Sequence, residues 1–350
     1  MMDKEIIFEE NGGIGFIILN RPKLLNVLST QMCFMVDQKL SDWQSASHIQ
    51  AVVIKGAGDK AFCAGGDVRA VVEQGPDNNI SARQFFATEY KMNARIFHFP
   101  KPFIALLNGI TMGGGVGVSI YGSQRIVCEK TVFAMPEAAI GFIPDVGASY
   151  FLPRLVGALG LYLGLTGAHL MGADILYAGL GTAYMNSNKF EALQNELINQ
   201  DISSDRDVDN IIARFAENPG EAALDQFRDL IDAAFSEKTI EDIIDHLEII
   251  DHQWAKQTLA VLKKSSPLSL KLIMEQLTCG SKLEFNDCMT MEYRIVCAIT
   301  SYASDFYEGA RAILIDKDHN PKWLPKTVEE VSTEMVMAHF EIPTTGDLIF

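Results

Sequence analysis

Asn108-Gly-Ile-Thr-Met-Gly-Gly-Gly-Val-Gly-Val-Ser119 is the stretch that decides how this sequence is interpreted. It holds three consecutive glycines, Gly113 to Gly115, and a fourth at Gly117. The apolar run Phe103-Ile-Ala-Leu-Leu107 before it predicts a strand, and a helix is expected from about Gly114. Because glycine accepts backbone angles and close approaches that a Cβ forbids, the cluster predicts that another group comes very near the main chain.

A second glycine turn, Ala64-Gly-Gly66, also joins a strand-like run to a helix-like run. Backbone N–H groups at the start of a helix have no partner inside the helix, so they suit an anion. Two such groups that converge on one point form an oxyanion hole, and losing one donor from such a site lowers the rate about 10²–10³-fold. The alternative is that both glycine turns only allow strand and helix to pack tightly.

Glu137 and Asp145 lie eight residues apart in an irregular stretch, residues 135–147, that contains two prolines and two glycines. Apolar residues surround both of them. A carboxyl group among apolar residues loses hydration, which raises its pKa toward values useful for acid–base chemistry. Two carboxyl groups in one site can also divide the roles of acid and of base or nucleophile. The alternative is a helix cap or a surface charge on an exposed loop.

The composition narrows the class of protein. The chain of 350 residues is 48% hydrophobic and 21% charged, which predicts a globular protein with a sizeable core. Its 29 basic and 45 acidic residues give a net charge of −16. Nucleic acids and anionic membrane surfaces bind a basic face, so no partner of either kind is expected. An anionic small ligand would need a local basic pocket.

Cysteine and histidine spacing argues against a metal site. The six cysteines form no C-x-x-C pair and the seven histidines no H-E-x-x-H pattern. The Gly-x-Ser-x-Gly and Walker A signatures of serine hydrolases and nucleotide-binding proteins are also missing. Unpaired thiols indicate a reducing compartment, and the first residues resemble neither a signal peptide nor an Arg-rich transit peptide. A cytoplasmic location is therefore predicted, with no uncharged apolar run near ~18 residues for a membrane span.

The order of elements predicts the fold class. Up to about residue 150 the chain repeats a short strand, a glycine turn and a helix, which predicts a layered α/β fold. Asn11-Gly-Gly13 between two apolar runs predicts a hairpin, and Ser29 is expected to cap the helix that follows. After residue 149 the prediction is mostly helical, with long helices at 149–165 and 239–263, and a soft boundary falls near 200–220.

Several motifs resemble the crotonase (enoyl-CoA hydratase/isomerase) superfamily. They are Ala61-Phe-Cys-Ala-Gly-Gly-Asp-Val68, Asn108-Gly-Ile-Thr-Met-Gly-Gly-Gly115 and Met135-Pro-Glu-Ala-Ala-Ile-Gly141, with Leu19-Asn-Arg-Pro-Lys-Leu-Leu-Asn26 similar to the loop on the CoA side. Within the superfamily the chain is most similar, nearly end to end, to the branch that hydrolyses 3-hydroxyisobutyryl-CoA. The segments that carry this finer resemblance are Phe85-Phe-Ala-Thr-Glu-Tyr90, Phe142-Ile-Pro-Asp-Val-Gly147, Tyr150-Phe-Leu-Pro-Arg154, Met291-Glu-Tyr-Arg294, Asp305-Phe-Tyr-Glu-Gly-Ala-Arg311 and Asp316-Lys-Asp-His-Asn-Pro-Lys-Trp323.

The resemblance implies a fold and a set of site residues. Residues 1–200 would form a crotonase-like ββα spiral core, and residues 201–350 a mostly helical C-terminal region that completes the hydrolase-type fold. The thioester carbonyl would be held by the backbone N–H groups of Gly66 and Gly114, and Glu137 and Asp145 would be the catalytic carboxyl groups. Further substrate contacts would come from Glu89, Gly113 and Gly117. Contacts to CoA would come from Arg21, Lys23, Leu25, Ala64, Asp67 and Val68.

Gly117 separates the branches of the family. Enoyl-CoA hydratases carry a second catalytic glutamate twenty residues before the one that matches Glu137, and here that position is Gly117. Addition of water by the two-glutamate route would therefore lack one carboxylate. The chain instead has Asp145, which many hydratases lack. Isomerase-like members can use a pair such as Glu137 and Asp145, so double-bond isomerisation stays open.

The function that the resemblance implies is hydrolysis of a short β-hydroxyacyl-CoA, 3-hydroxyisobutyryl-CoA from valine breakdown. Glu137 would either attack the carbonyl to form a mixed anhydride or act as a base toward water. No cofactor is expected, since CoA is part of the substrate, and no obligate protein partner. A monomer is expected, because the C-terminal region could cover the surface through which superfamily members form trimers or hexamers. The alternatives are an enoyl-CoA hydratase or isomerase, and a non-catalytic acyl-CoA-binding protein.

Overall fold

The computed structural model describes residues 4–76 and 79–350. Residues 1–3, on which the predicted lack of a targeting signal partly rests, lie outside the described residues. Ten strands in the described ranges form two sheets. The strands are β1 (Ile6–Asn11), β2 (Ile14–Leu19), β3 (Ala51–Gly56), β4 (Ala61–Cys63), β5 (Phe103–Leu107), β6 (Ile110–Met112), β7 (Gln124–Val127), β8 (Val132–Ala134), β9 (Leu170–Met171) and β10 (Ala183–Tyr184).

Sixteen α-helices lie in the same ranges. They are α1 (Thr30–Ser45), α2 (Val68–Glu73), α3 (Asn79–Phe97), α4 (Gly114–Gly117), α5 (Ala148–Phe151), α6 (Leu159–Thr166), α7 (Ala173–Tyr177), α8 (Phe190–Asn199), α9 (Asp205–Ala213), α10 (Arg228–Phe235), α11 (Ile240–Ile249), α12 (Gln253–Leu262), α13 (Pro267–Gly280), α14 (Phe285–Ile299), α15 (Asp305–Ala310) and α16 (Thr333–Met337). None of these helices is both long and apolar enough to cross a membrane.

The larger sheet has six strands in the order β1-β2-β3-β5-β7-β10. β1 and β2 form the predicted antiparallel hairpin, whose turn residues Gly12 and Gly13 have φ of 55° and 82°. The other neighbours pair in parallel, with Ile17 opposite Ile54 on β3. Parallel strands need long crossover connections, which the helices between them supply. The smaller sheet has the order β4-β6-β8-β9.

The chain forms two compact units, each made of three segments. The first comprises the described residues of Met1–Gly66, Lys91–Phe133 and His169–Asp225, and the second those of Asp67–Tyr90, Ala134–Ala168 and Gln226–Phe350. The units therefore interleave along the chain. The predicted division into residues 1–200 and 201–350 stays a prediction.

The core of the first unit lies between the larger sheet and two helices. Side chains of one sheet face, among them Phe16, Val53 and Ile104, pack with Leu193 of α8 and Ile211 of α9. All of these side chains are buried. Burying one such side chain contributes roughly 1.5–3 kcal/mol, so this apolar layer stabilises the larger sheet.

The core of the second unit is helical, and glycines let its backbones approach closely. A Cβ on Gly280 of α13 would lie 2.1 Å from the Ser149 carbonyl oxygen on α5. A Cβ on Gly309 of α15 would lie 2.4 Å from the carbonyl carbon of Ile140. Helices α13 and α15 therefore pack directly against the main chain of residues 137–151.

Three of the predicted helices differ from the structure. The helix after the glycine triplet is the single turn α4, and the predicted helix 149–165 is interrupted by a 3₁₀ turn (Leu152–Arg154) and by Gly157 at φ 61°. The predicted helix 239–263 is two helices, because His252 caps α12 by accepting a hydrogen bond from the Trp254 N–H at 3.1 Å. The expected cap of α1 is confirmed: Ser29 Oγ accepts from the Met32 N–H at 3.2 Å.

Candidate active site

The two glycine turns are neighbours in the first unit. Gly113 has φ 49° and ψ −122°, a conformation that a Cβ strains, and it ends β6 and begins α4. A Cβ on Gly115 would lie 2.1 Å from the Cys63 carbonyl oxygen, and a Cβ on Gly65 would lie 3.8 Å from the Gly114 nitrogen. The triplet thus packs against the strand end that leads into Gly66.

The backbone amides of Gly66 and Gly114, which were predicted to face the substrate, are available as hydrogen-bond donors. The N–H groups of Val116 and Gly117 donate to the Gly113 carbonyl, at 2.8 and 3.1 Å. By contrast, the N–H groups of Gly66 and Gly114 donate to no oxygen of the described residues. Two free amides on adjacent glycine turns suit an anionic oxygen. The buried Gly117 brings no carboxyl group to this place.

The predicted CoA-side loop is bound to the second glycine turn. Leu25 and Asn26 both have positive φ, 53° and 57°. The Ala64 N–H donates to the Leu25 carbonyl at 3.0 Å, and the Leu28 N–H donates to the Gly65 carbonyl at 2.9 Å. The buried Asn26 side chain also donates to the Ala61 carbonyl at 2.8 Å. Leu25 and Ala64, both predicted CoA contacts, are thereby held together.

The two basic residues predicted for CoA differ in their surroundings. Arg21 is engaged: its guanidinium donates to the Val27 carbonyl at 2.9 Å and lies 3.3 Å from the Glu5 carboxylate. Lys23 is exposed on a short 3₁₀ turn (Pro22–Leu24). Lys23 is therefore the better placed of the two to reach a phosphate in solvent. The role of Arg21 stays a prediction.

Asp67 and Val68 lie at the start of α2, in the second unit. The Asp67 carboxylate accepts a hydrogen bond from the Ala70 N–H at 3.3 Å, so it caps this helix. Val68 is the first residue of α2 and is half-buried. The observed role of Asp67 is local, and the CoA contacts predicted for both residues stay predictions.

Three buried carboxyl groups of the second unit are the ones predicted to meet the substrate. Glu89 on α3, Glu137 at the start of a 3₁₀ turn (Glu137–Ile140) and Asp145 are 2%, 7% and 5% exposed. Glu89 Oε1 and Glu137 Oε2 have no hydrogen-bond partner among the described residues. In the same unit the rings of Phe86, Phe142 and Phe306 pack on one another, with neighbouring centroids 4.9–5.6 Å apart. Buried polar oxygens without a partner are rare and often mark a place that a ligand or water completes.

Burial raises the pKa of all three groups, and repulsion from neighbouring carboxylates raises the pKa of Glu89 and Glu137 further. Loss of hydration is the main cause for the raised pKa of Glu89 and Glu137, and the charge of Asp145 raises both further. Burial raises the pKa of Asp145 to about 7, although a hydrogen bond from Tyr90 lowers it. Like charges in an apolar site cannot all be ionised together, so this group holds protons at neutral pH. Such groups are suited to general acid and base catalysis.

The turn that carries Glu137 is fixed by the C-terminal part of the chain. The Ser266 N–H donates to the Ala138 carbonyl at 3.3 Å, and Ser266 Oγ donates to the Asp305 carboxylate at 2.6 Å. A Cβ on Gly141, which has φ 71°, would lie 2.3 Å from the Asp305 carbonyl oxygen. Glu137 is therefore held from both ends of its turn.

Several residues of this group were missed as functional candidates. Tyr90, Ser266 and Glu292 hydrogen-bond to the segments that carry Glu137 and Asp145, and Asp305 accepts from Ser266 Oγ. One signal was available for Glu292, because it occupies a position where buried residues of α14 repeat every three or four residues: Phe285, Cys288, Met289, Glu292, Val296 and Ile299. A glutamate at such a position predicts a paired, buried carboxyl group.

Comparison with known proteins identifies the family of the chain. The family model described as enoyl-CoA hydratase/isomerase matches residues 14–340. A Danio rerio protein named "3-hydroxyisobutyryl-CoA hydrolase, mitochondrial" is 44% identical over 349 residues, 98% of this chain and 91% of that protein. The Homo sapiens protein of the same name is 41% identical over 352 residues, 99% and 91% of the two chains. The predicted resemblance is confirmed.

Solved structures confirm the α/β crotonase fold. A carnitinyl-CoA dehydratase from Mycobacterium thermoresistibile has a TM-score of 0.93 at 36% identity, covering 99% of both chains. An enoyl-CoA hydratase from Rhodobacter sphaeroides 2.4.1 has a TM-score of 0.91 at 34% identity, covering 99% of this chain and 100% of that one. Both similarities extend through the C-terminal helices.

The predicted cytoplasmic location is wrong. The similar hydrolases are named mitochondrial, in Danio rerio, Gallus gallus and Homo sapiens alike. The prediction rested on reduced thiols, and the described cysteines form no disulfide and are mostly buried. Unpaired thiols indicate only that a compartment is reducing, so they do not distinguish one reducing compartment from another.

Proposed function

The chain belongs to the enoyl-CoA hydratase/isomerase family, and we propose that it hydrolyses the thioester 3-hydroxyisobutyryl-CoA to 3-hydroxyisobutyrate and CoA. It is an acyl-CoA thioester hydrolase. The observation that carries this proposal is the buried Glu137, which has an oxygen without a hydrogen-bond partner and belongs to the same group of carboxyl groups as Asp145. Gly117, two positions after the glycine triplet, has no carboxyl group. That set suits attack on a carbonyl better than addition of water by two glutamates.

The reaction needs charge stabilisation at the carbonyl oxygen. Attack converts the thioester carbonyl into a tetrahedral oxyanion, and the free N–H groups of Gly66 and Gly114 would donate to that oxygen. Gly113 would hold the turn that aims the second amide, because its φ of 49° strains other residues. Leu25, Ala64 and Lys23 would contact the CoA arm and its phosphates.

Glu137 would carry the covalent chemistry by one of two routes. As a nucleophile, its carboxylate oxygen bonds to the carbonyl carbon, the C–S bond breaks, and CoA leaves as a thiolate that takes up a proton. Water then hydrolyses the mixed anhydride and restores the carboxylate. As a base, Glu137 instead removes a proton from the attacking water. In both routes one thioester and one water yield one acid and one thiol.

Asp145 and Glu89 would hydrogen-bond to the substrate hydroxyl, and Asp145 would also suit proton transfer. A pKa of about 7 lets Asp145 hold or release a proton at neutral pH, so it suits hydrogen bonding to the hydroxyl or proton transfer to the leaving sulfur. Glu89, with its free Oε1, would accept from the hydroxyl. The proposed reaction uses no metal or redox cofactor, and we propose a monomeric enzyme of valine breakdown.

A second candidate is hydration or isomerisation of an enoyl-CoA. It is favoured by the two solved structures at 34–36% identity, which are named a dehydratase and a hydratase. The lack of a carboxyl group at Gly117 disfavours the two-glutamate route of hydration. A protein that binds acyl-CoA without turnover would need neither the buried carboxyl groups nor the free amides.

The test is release of free thiol from 3-hydroxyisobutyryl-CoA by the wild type and by Glu137→Gln. The amide keeps the size of the side chain but can neither attack nor take a proton, so turnover should fall by at least about 10²-fold while CoA still binds. Glu284→Gln is the matched control, since Glu284 is exposed and makes no capping bond. Near-wild-type turnover of Glu137→Gln would remove Glu137 from the mechanism.

A further inference from the structure

Glu292 is the most completely buried acidic side chain outside the proposed reaction. It lies in the middle of α14 with 0% exposure, flanked by the buried Tyr293 and Met291. A carboxyl group in such a place is costly unless its oxygens are satisfied by donors. Its partners therefore indicate what it is for.

All partners of Glu292 are donors, and most of them lie just after Asp145. The Gly147 N–H donates to Oε2 at 2.7 Å, and the Ser149 N–H donates to Oε1 at 2.8 Å. Ser149 Oγ donates to Oε1 at 2.5 Å, and Gln276 Nε2 at 3.4 Å. These donors stabilise the ionised carboxylate and so oppose, without cancelling, the effect of burial, which raises the pKa of Glu292 to about 8.

The turn that Glu292 holds is strained. Val146 is fully buried at φ 52°, a region that β-branched residues rarely occupy, and Gly147 follows at φ 87°. Such a backbone persists only where the surrounding structure fixes it, and strain of this kind clusters at functional sites. Here the Ala148 N–H donates back to the Asp145 carbonyl at 2.9 Å, and Gln276 Nε2 donates to the Pro144 carbonyl at 2.6 Å.

The strained turn decides where the Asp145 carboxyl group stands. Glu292 accepts hydrogen bonds from the main chain of the turn, at Gly147 and Ser149. Oδ2 of Asp145 accepts a hydrogen bond from the Tyr90 hydroxyl at 2.8 Å. If residues 146 and 147 relaxed to negative φ, the chain direction at Asp145 would change and that hydrogen bond would be lost. A displacement of about 1 Å at a reacting group can cost about 10²-fold in rate.

We propose that Glu292 is a positioning residue that keeps the turn of residues 145–149 in its strained conformation. It thereby keeps the Asp145 carboxyl group in the position from which it acts on the substrate. This role rests on the proposed function, in which Asp145 acts on the substrate. In this role Glu292 acts on the turn and not on the substrate.

The first test is Glu292→Gln, compared with Asp287→Asn on the same helix. The amide fills the same volume but presents an NH₂ group to at least one of the N–H donors, so the turn loses an acceptor. We expect kcat to fall by about 10²-fold with KM within about twofold. Asp287 is exposed, so the control should keep wild-type kinetics. Unchanged kcat in Glu292→Gln would overturn the proposal.

A double-mutant cycle separates positioning from mere stability. If Glu292 acts through Asp145, adding Glu292→Gln to Asp145→Asn should change kcat less than about threefold. A full and additive loss would show that Glu292 acts independently of Asp145, which contradicts the proposal. If Glu292→Gln does not fold, Ser149→Ala replaces it, because it removes the 2.5 Å donor and leaves both N–H bonds in place. A smaller fall in kcat that disappears with Asp145→Asn is expected, and no fall would contradict the proposal.

A crystal structure of Glu292→Gln tests the same idea without any reaction. We expect Val146 to leave positive φ and the Tyr90–Asp145 oxygen distance to exceed 3.5 Å. An unchanged turn would overturn the proposal. If the wild type released no thiol from 3-hydroxyisobutyryl-CoA, the proposed function would fail, whereas this structural test would still give its own answer about the turn.

Discussion

The hydroxyl of Tyr90 donates a hydrogen bond of 2.8 Å to Oδ2 of Asp145, and both residues are buried. They stand 55 positions apart in the sequence. Burial raises the pKa of Tyr90 well above its usual value, so the phenol stays a donor over the working pH range. This single bond opposes the effect of burial on Asp145, because it stabilises the ionised form of that carboxyl group.

Tyr90→Phe should therefore move the ionisation of Asp145 to higher pH. Removing the donor takes away the larger of the two hydrogen-bond effects that oppose burial, so the pKa of Asp145 should rise above about 7. The pH dependence of kcat/KM for thiol release would report this as an upward shift of one inflection. Tyr302→Phe is the control, since Tyr302 contacts His339 and is partly exposed. An inflection that stays in place or moves down would show that the Tyr90 hydroxyl does not act on Asp145.

Gly115→Ala should damage the proposed oxyanion site. An added Cβ would lie 2.1 Å from the Cys63 carbonyl oxygen, so the backbone must shift. Overpacking of this kind costs about 1–3 kcal/mol, and a displaced Gly114 amide should lower kcat about 10²–10³-fold.

The control for that variant is Gly220→Ala. Gly220 has φ 92°, so alanine strains the backbone there by about 1–2 kcal/mol, but the added Cβ meets no atom within 4 Å and kcat should stay that of the wild type. A lower melting temperature of Gly115→Ala with wild-type kcat would mean that the glycine triplet serves packing alone.

The stability of the protein should fall as the pH rises through neutrality. The folded-state pKa of Asp145 is about 7 and that of Glu292 about 8, both above the ordinary values of 3.8 and 4.5, because both groups are buried. A raised folded-state pKa means that the folded protein binds more protons than the unfolded chain. The stabilisation is complete below about pH 4 and is lost as the pH rises through 7 and 8.

Thermal unfolding between pH 5 and pH 9 measures this effect. The melting temperature should decrease over that range, and Glu89→Gln, which removes one of the buried ionisable groups, should flatten the decrease. Glu284→Gln, at an exposed position, should follow the wild type. A melting temperature that rises from pH 5 to pH 9 would contradict the assigned protonation of the group.

The parts of the site that could be predicted from the sequence carry short-range signals. Asn11-Gly-Gly13 has the residues of a hairpin turn, and the structure has that turn. The triplet at Gly113 predicted a backbone that a Cβ would strain, and its φ of 49° agrees. Glu137 was a candidate because apolar residues surround it, and it is buried.

The residues that hold those groups in place could not be predicted in the same way. Tyr90 reaches Asp145 across 55 positions, and Glu292 reaches Gly147 across 145. Hydrogen bonds between residues so far apart in the sequence depend on tertiary packing, which the local sequence pattern does not reveal. The one local trace was a glutamate on the buried face of α14.

The short helix α4 shows a second limit. A helix was expected from about Gly114 because the glycines join a strand-like run to a helix-like run, yet the helix ends after one turn at Gly117. Glycine lowers helix stability by about 1 kcal/mol per residue, and three of these four residues are glycine. Close packing on Cys63 decides the conformation of this segment more than helix propensity does.

The central claim is hydrolysis of 3-hydroxyisobutyryl-CoA, and one comparison tests it most directly. It measures kcat/KM of the wild type for thiol release from 3-hydroxyisobutyryl-CoA beside kcat/KM for hydration of crotonyl-CoA. Thiol release should exceed hydration by at least about 10²-fold, because the position of Gly117 offers no second carboxylate to the double bond. Fast hydration without release of thiol would contradict the assignment of this chain as a thioester hydrolase.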